Sequence, residues 1–371
     1  MKPTSEQELS ELIADAKTPF QIKGGGTRLT GLLEAKTLDM SGLSGITLYE
    51  PGALTLVAQA GTTIADIEIA LAADNQRLAF EPADLRDVLG TTGDSTIGGV
   101  VASNASGPRR LSAGACRDFM LGVRFVDGAG NVVKNGGRVM KNVTGYDLVK
   151  LMSGAHGTLG VLSELSLKVL PTVEMQVCLR LPDLNAVQAV RAMSAALGSP
   201  FEVSGAARNV DGMVLLRLEG FDASVRYRAA SLIKVLAPFG DVEIVDDQDM
   251  CATIWRDIRD ARGLIGADGN LWRISVKPSD APHVLEALKP TMAQLDWGGG
   301  LIWAVVPSGT DVRAKMGVSG HATLMRASND DFTRLGRFHP EPAPLAKISM
   351  GLRTRFDPKG LLNPGLMGAT S

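Results

Sequence analysis

A triple-glycine turn, Lys23-Gly24-Gly25-Gly26-Thr27-Arg28-Leu29, follows a short apolar run and constrains the fold more than any other stretch. Three consecutive residues without a Cβ let the backbone adopt positive φ and turn its N–H groups to one side, as in an anion-binding nest. A Rossmann turn is excluded because residues 29–37 leave no room for its helix, and no Lys-Ser or Lys-Thr pair follows as in a Walker loop. Two interpretations stay open here, an anion cradle and a simple tight turn.

The length of 371 residues predicts two domains and a small third unit. A net charge of −2 without a basic stripe argues against a nucleic-acid partner. No apolar run approaches the roughly 18 residues that span a bilayer, and residues 1–17 form an amphipathic helix instead of a signal peptide. We therefore expect a cytoplasmic protein, peripheral to the inner membrane only through partners.

The three cysteines, Cys116, Cys178 and Cys251, are too far apart in sequence for an iron–sulfur or zinc site. We expect them to be reduced and buried. The four histidines are likewise scattered, so we expect no metal site.

The hydrophobic patterns predict an α+β fold. Residues 47–60 read as strand, turn and strand, a helix begins at Thr62 or Thr63, and residues 121–133 form a hairpin. The glycine-rich segments 90–107 and 154–162 are predicted as loops, the first of which offers donors to phosphate and ribityl groups.

Beyond residue 172 the pattern predicts strand, helix, hairpin, helix and strand, followed by a second round with a strand, a helix and two more strands. The order strand, helix, strand, strand, helix, strand is the ferredoxin-like one. It predicts an antiparallel sheet with helices on one face, including a helix over residues 280–295, and an open face toward the substrate. The prolines of residues 340–344 predict an extended connector back to the first domain.

Four motifs in order carry a family resemblance. They are the Gly-Gly-Gly-Thr loop, Thr96-Ile-Gly-Gly-x-x-Ala with Asn104 and Gly107, Gly145-Tyr-Asp-Leu, and Gly154-x-x-Gly-Thr-Leu-Gly-Val, with a closing Phe356-Asp-Pro-Lys-Gly-Leu-Leu-Asn-Pro-Gly. This order resembles the flavoproteins of the vanillyl-alcohol oxidase and p-cresol methylhydroxylase (PCMH) family, in their D-lactate and glycolate dehydrogenase branch. The resemblance implies a PCMH-type FAD-binding domain at 1–171, a cap at 172–335 that faces substrate or partner, and a C-terminal segment at 336–371.

The resemblance also implies a set of FAD-binding residues spread over the glycine-rich segments and the closing motif. They are Gly24, Gly25, Gly26, Thr27, Gly93, Asp94, Thr96, Ile97, Gly98, Gly99, Asn104, Gly107, Gly157, Val161 and Asn363. Relatives that tether their flavin through a histidine carry it in or near these loops. Neither of the first two loops contains His or Cys, so we expect non-covalent FAD.

The catalytic residues are the least constrained part of the sequence. Oxidation of a 2-hydroxy acid needs a cation for the carboxylate and a group that takes the hydroxyl proton. Arg273, His321 and Arg326 are weak candidates on or near predicted cap strands. Residues 265–272 resemble the metal-binding stretch of larger relatives, but Ile265 and Trp272 replace its histidines, so the Asp-Gly-Asn reads as a turn.

The resemblance implies a FAD-binding subunit of a complex that oxidises glycolate to glyoxylate, in glycolate catabolism, by hydride transfer to flavin. The implied partners are a larger FAD-binding catalytic subunit and an iron–sulfur subunit, because this chain has no cysteine cluster for an electron relay. Three alternatives remain open: a self-sufficient 2-hydroxy-acid dehydrogenase of the D-lactate type, a non-catalytic scaffold, and the NADPH-dependent enolpyruvyl reductase of peptidoglycan synthesis. The Asn363-Pro364-Gly365 ending argues against the last.

Overall fold

The computed structural model describes residues 1–28, 31, 35–138 and 145–368. Leu29 of the triple-glycine turn and residues 139–144, within the segment where a further hairpin arm is predicted, lie outside them. The first region contains α1 (Glu6–Ala14), β1 (Phe20–Lys23), β2 (Lys36–Asp39), β3 (Ile46–Glu50), β4 (Thr55–Gln59), α2 (Ile64–Ala72), β5 (Gln76–Arg77), α3 (Arg86–Leu89), α4 (Ile97–Ala102), β6 (Met120–Val126), β7 (Val132–Gly136), α5 (Leu148–Met152), β8 (Val161–Lys168) and β9 (Leu170–Pro171).

The helices and strands predicted for the first region are confirmed where they are described. Thr63 caps α2 by accepting a hydrogen bond from the Asp66 N–H, and β6 and β7 form the hairpin. Within the described residues β3, β4, β8, β6 and β7 make a sheet in that order, and α2, α4 and α5 pack on it. Asp147 caps α5, while Tyr146 is exposed.

The second region continues the chain with β10 (Met175–Leu181), α6 (Ala186–Leu197), β11 (Gly205–Arg208), β12 (Val214–Gly220), α7 (Asp222–Leu236), β13 (Glu243–Val245), α8 (Gln248–Arg259), β14 (Asn270–Val276), α9 (Ala281–Leu288), β15 (Met292–Asp296), β16 (Leu301–Val306), α10 (Val312–Lys315) and β17 (Gly320–Arg326). Its strands form one sheet in the order β13-β10-β12-β11-β15-β16-β14-β17. Each half has the ferredoxin-like strand order, and β11 joins β15 through the pairing of Arg208 with Leu295.

Two expectations for this region are wrong in detail. The helix predicted over 280–295 ends at Leu288, and the following residues form β15, because Lys289 adopts a positive φ and Pro290 cannot continue a helix. Helix α8 packs through Cys251, Trp255 and Ile258 on the sheet face opposite α6 and α7, so helices lie on both faces.

The chain ends with α11 (Asn329–Leu335) and α12 (Ala343–Phe356). The predicted connector is therefore shorter than expected, since α12 begins at Ala343. Phe356 packs against Phe125 of the first region, and Leu362 forms a parallel β-bridge to Phe20, the first residue of β1. These contacts bring the closing motif to the triple-glycine turn. The exact domain boundaries stay a prediction.

Candidate functional site

A cavity of about 480 Å³ lies beside the triple-glycine turn, and we call it the glycine cavity. Its walls come from three glycine-rich segments and the closing motif, which are far apart in sequence. Lining residues that belong to the predicted set are Gly24, Gly25, Gly26, Thr27, Thr96, Gly98, Gly99, Gly157 and Asn363. The cavity thus gathers most of the predicted cofactor residues in one place.

The first two glycine-rich segments pack directly on each other. A Cβ on Gly25 would overlap the backbone carbonyl oxygen of Asp94, and one on Gly24 would overlap the Thr96 hydroxyl. Gly26 has a φ of +72°, which other residues rarely adopt. The glycines are therefore required by the contact between the two segments, before any ligand is considered.

The closing motif fixes the far wall. The side-chain oxygen of Asn363 accepts a hydrogen bond from the Ile22 N–H at 2.8 Å, and its amide nitrogen donates to the His156 carbonyl at 2.8 Å. Asn363 is buried and joins β1 to the third glycine-rich segment. Its described contacts are to the protein backbone, which makes it an organiser of the cavity wall.

The residues present suit a ligand with phosphate groups. Among the described residues, nothing accepts hydrogen bonds from the backbone N–H groups of Gly24, Gly25 and Gly26. Arg28 donates to the Ala83 carbonyl and the Ser95 hydroxyl, but its Nε is buried without a partner. Burial lowers the pKa of Arg28 to about 10, so it stays charged at neutral pH. A cradle without Cβ atoms, with free N–H groups and a cation, fits a dinucleotide such as FAD.

A second cavity of about 220 Å³, here the arginine cavity, continues from the first and shares Arg28, Ser103 and His156 with it. Its floor is the sheet face of β14, β16 and β17, where Arg273 lies opposite Trp303 and Thr323. The first region supplies its roof through residues 103–107 and Arg110.

The arginine cavity is strongly cationic. Burial, with Arg110 nearby, lowers the pKa of Arg273 to about 10, and burial lowers that of Arg337 to about 10. Asp296 also lines this cavity, and burial raises the pKa of its carboxyl group to about 7. The site therefore combines permanent cations with one carboxyl group that is poised to exchange a proton near neutral pH.

His156 stands where the two cavities meet. Its ring lies 4.8 Å from that of Phe338, and burial lowers its pKa to about 4. The imidazole is therefore neutral at physiological pH. Its backbone φ of +49° shows that the surrounding contacts hold it in a conformation that histidine seldom adopts.

The remaining predicted residues fall into two groups. Asn104 and Gly107 line the arginine cavity. Gly93, Asp94, Ile97 and Val161 line neither cavity: the Asp94 side chain is 77% exposed, and Ile97 and Val161 are buried in the core. Segment 90–107 is not all loop, because Thr96 caps α4 through a bond from the Gly99 N–H.

Of the three catalytic candidates, the structure places only Arg273 in a cavity. His321 is exposed at the sheet edge, with its ring 5.4 Å from that of His339. Arg326 donates to the Val88 and Ala267 carbonyls at 2.6 and 2.5 Å, so it connects the two regions. Residues 265–269 form a turn that leads into β14, where Asn270 donates to Asp331 and Trp272 is buried in the core.

Sequence reasoning missed Asp296, Arg110 and His156 as site residues. Arg110 carried a usable signal, since it belongs to the Gly-Pro-Arg-Arg that closes the second glycine-rich segment, and His156 lies inside the third. Asp296 was missed because most of its strand was assigned to a helix, although Pro290 within that helix was a signal against the assignment. Cys116, Cys178 and Cys251 are free and buried, as expected.

Comparison with known proteins agrees with this geometry. The chain is 35% identical over 368 residues to the glycolate oxidase subunit GlcE of Escherichia coli K12, covering 98% of this chain and 96% of that protein. The chain belongs to the GlcE family. A model of the FAD binding domain matches residues 1–136. Among the described residues, no helix has the length and apolarity needed to cross a membrane.

Two more distant relatives extend the comparison beyond the GlcE family. Glycolate oxidase subunit GlcD of Bacillus subtilis is 28% identical, over 46% of this chain and 37% of that protein. The structure of p-cresol methylhydroxylase with substrate bound superimposes with a TM-score of 0.73 at 13% identity, covering all of this chain and 88% of that one. The PCMH-type α+β fold is thus confirmed, and FAD is the cofactor of this chain.

Proposed function

We propose that this chain is the FAD-binding subunit of a complex that oxidises glycolate to glyoxylate. The observation that carries the proposal is the glycine cavity continuing into the arginine cavity, in a chain similar to GlcE over its whole length. The first cavity suits a dinucleotide, and the second suits a small anion beside it.

The roles of the residues follow from their contacts. Gly24, Gly25, Gly26 and Arg28 would hold the FAD phosphates through N–H groups and one positive charge. FAD when bound supplies the hydride acceptor. His156 and Ser103, at the junction of the cavities, would contact the cofactor there. Because neither of the first two glycine-rich segments contains His or Cys, we propose that the FAD is non-covalent.

The finer assignments concern partners and location. The word subunit in the names of its relatives supports a multi-subunit assembly. We propose that a larger flavoprotein subunit and an iron–sulfur subunit are the partners, and that the chain is cytoplasmic. Co-purification of both chains with the tagged protein from its native host tests the partners, and purification without either contradicts this assignment.

The test of the function is spectroscopic. The purified chain should show the flavin absorbance band, and acid precipitation should leave all flavin in the supernatant. Glycolate should bleach the band in the assembled complex. A colourless chain would support the scaffold alternative, and bleaching in the isolated chain would support a self-sufficient dehydrogenase.

Gly25→Val is the sharpest test of the cradle. The branched side chain would overlap the Asp94 carbonyl and separate the two segments, so we expect complete loss of FAD retention. Gly351→Ala is the matched control, since a Cβ there meets nothing within 4 Å, and it should retain stoichiometric FAD. Full FAD content in the Gly25 variant would refute the cradle.

A further inference from the structure

Two guanidinium groups that line the arginine cavity stack on one indole ring. The Cζ atom of Arg110 lies 4.7 Å from the ring centre of Trp297, and that of Arg273 lies 5.2 Å from it. Among the described residues, none accepts a hydrogen bond from either guanidinium, and none forms an ion pair with it. Trp297 is itself fixed, since its indole N–H donates to the Gly107 carbonyl at 3.1 Å.

Asp296 does not neutralise this pair. Its Oδ1 accepts a hydrogen bond from the Trp297 N–H at 2.7 Å, and its Oδ2 has no partner in the part of the chain that the structure describes. Its single charge also lies beyond ion-pair distance of both arginines. Buried cations are normally paired, so this site has the charge of an anion-binding site together with one spare acceptor atom.

The shape of the cavity limits the anion. A volume of about 220 Å³ is smaller than the roughly 300–1,000 Å³ typical of sites for drug-sized ligands. Leu301 and Trp303 give it an apolar wall, and it opens to the glycine cavity beside His156. A molecule of a few carbon atoms fits there and faces the cofactor cavity.

We propose that the arginine cavity of this chain binds a small 2-hydroxy carboxylate directly. Arg110 and Arg273 hold the carboxylate, and Oδ2 of Asp296 accepts a hydrogen bond from the 2-hydroxyl group. Guanidinium groups match a carboxylate in charge and in donor geometry. The choice of a 2-hydroxy acid among small carboxylates rests on the proposed function. The assignment gives this chain a substrate site of its own, independent of any partner subunit.

Calorimetric titration of the full-length purified chain with glycolate and with acetate tests the site without any catalytic readout. We expect glycolate to bind, and Arg273→Met and Arg110→Met each to weaken binding at least about tenfold, because each removes a charge-assisted contact. Arg117→Met is the matched control, an exposed arginine near Arg110, and should leave binding unchanged.

Asp296→Ala separates the hydroxyl contact from the carboxylate contact. It should weaken glycolate binding and leave acetate binding as strong or stronger, so that the preference for glycolate over acetate falls. Absence of glycolate binding to the wild type, or wild-type affinity in both folded arginine variants, would overturn the proposal. Two independent arginine variants, each checked by its melting curve, keep the test valid if one fails to fold.

The titration also distinguishes this proposal from the proposed function. If the chain carries FAD and supports glycolate oxidation in the complex, but its arginine variants bind glycolate normally, the proposed function is supported and the proposed binding site is contradicted. If both variants lose glycolate binding but the chain never carries FAD, the proposed binding site is supported and the proposed function is contradicted.

Discussion

Two neighbouring arginines in one short turn meet opposite environments where the two regions touch. Arg109 forms ion pairs with Glu81 and Glu219, each at 2.7 Å. Arg110, the next residue, has no carboxylate partner among the described residues and faces the arginine cavity. Arg109 therefore helps to hold the two regions together, whereas Arg110 is free to bind a ligand.

The paired cluster consists of Arg77, Glu81, Arg109, Arg217 and Glu219. Arg217 is 1% exposed, contacts both glutamates and stacks on Trp255 at 4.6 Å. Although burial alone raises the pKa of Glu81, Arg217 and Arg109 hold it below its usual range. Each charged side chain in this cluster has an ion-pair partner, whereas Arg110 and Arg273 in the arginine cavity have none among the described residues. The contrast separates structural arginines from functional ones.

The largest expected effect comes from breaking the paired cluster. Arg217→Met leaves two buried carboxylates with incomplete partners, and we expect it to lower the free energy of unfolding by about 3–5 kcal/mol. Urea denaturation with an unchanged slope measures the loss. A loss below about 1 kcal/mol would show that the ion pairs of the cluster do not hold the two regions together.

The arginine cavity and the paired cluster should also respond to pH in opposite directions. Asp296 has a folded pKa raised to about 7, above its unfolded value, so its contribution is fully present in acid and is lost as pH rises toward 7. Arg217 and Arg109 outweigh the effect of burial and lower the pKa of Glu219, so its contribution is lost only as pH falls below the ordinary glutamate value of about 4.3.

Asp296→Asn isolates the first of these effects. The wild type should lose stability between about pH 4 and about pH 7, and the variant should lose less, while both should unfold alike in acid. Urea midpoints at several pH values provide the measurement. Identical profiles for the two proteins would mean that Asp296 has an ordinary pKa.

A substitution in the arginine cavity is expected to have a smaller effect on the free energy of unfolding, and this effect is an increase. Arg273→Met removes a desolvated cation that has no partner among the described residues, and we expect the free energy of unfolding to rise by about 1 kcal/mol without added carboxylate. Thermal denaturation in a buffer free of small organic acids measures it. If the variant is less stable than the wild type, Arg273 has a structural role like that of Arg217.

The contrast between Arg109 and Arg110 also shows what the sequence could predict. The glycine-rich segments and the cap of α2 have local sequence patterns, and those patterns predicted them. The partners of Arg109 come from residues 81 and 219, so sequence alone cannot distinguish it from Arg110. Arg273 and His321 were both chosen for their strand positions, yet only Arg273 lies on an inner strand, while His321 sits on edge strand β17.

Pro290 was a readable signal that was missed. A helix cannot run through it with normal hydrogen bonds, and recognising this would have revealed β15 and with it Asp296. Asp296 and Trp297 lie beneath the first region because of the way the two regions pack together. That packing has no local pattern from which it could be predicted.

The smallest expected effect provides the baseline for the comparison. Arg226 pairs with Asp222 one helical turn away on α7, and both side chains are about half exposed, so water competes for the pair. Arg226→Ala should change the free energy of unfolding by less than about 0.5 kcal/mol. Measured beside Arg217→Met, it tests whether burial sets the cost of losing an arginine here. Equal losses in the two variants would mean that the buried cluster contributes no more than an exposed pair.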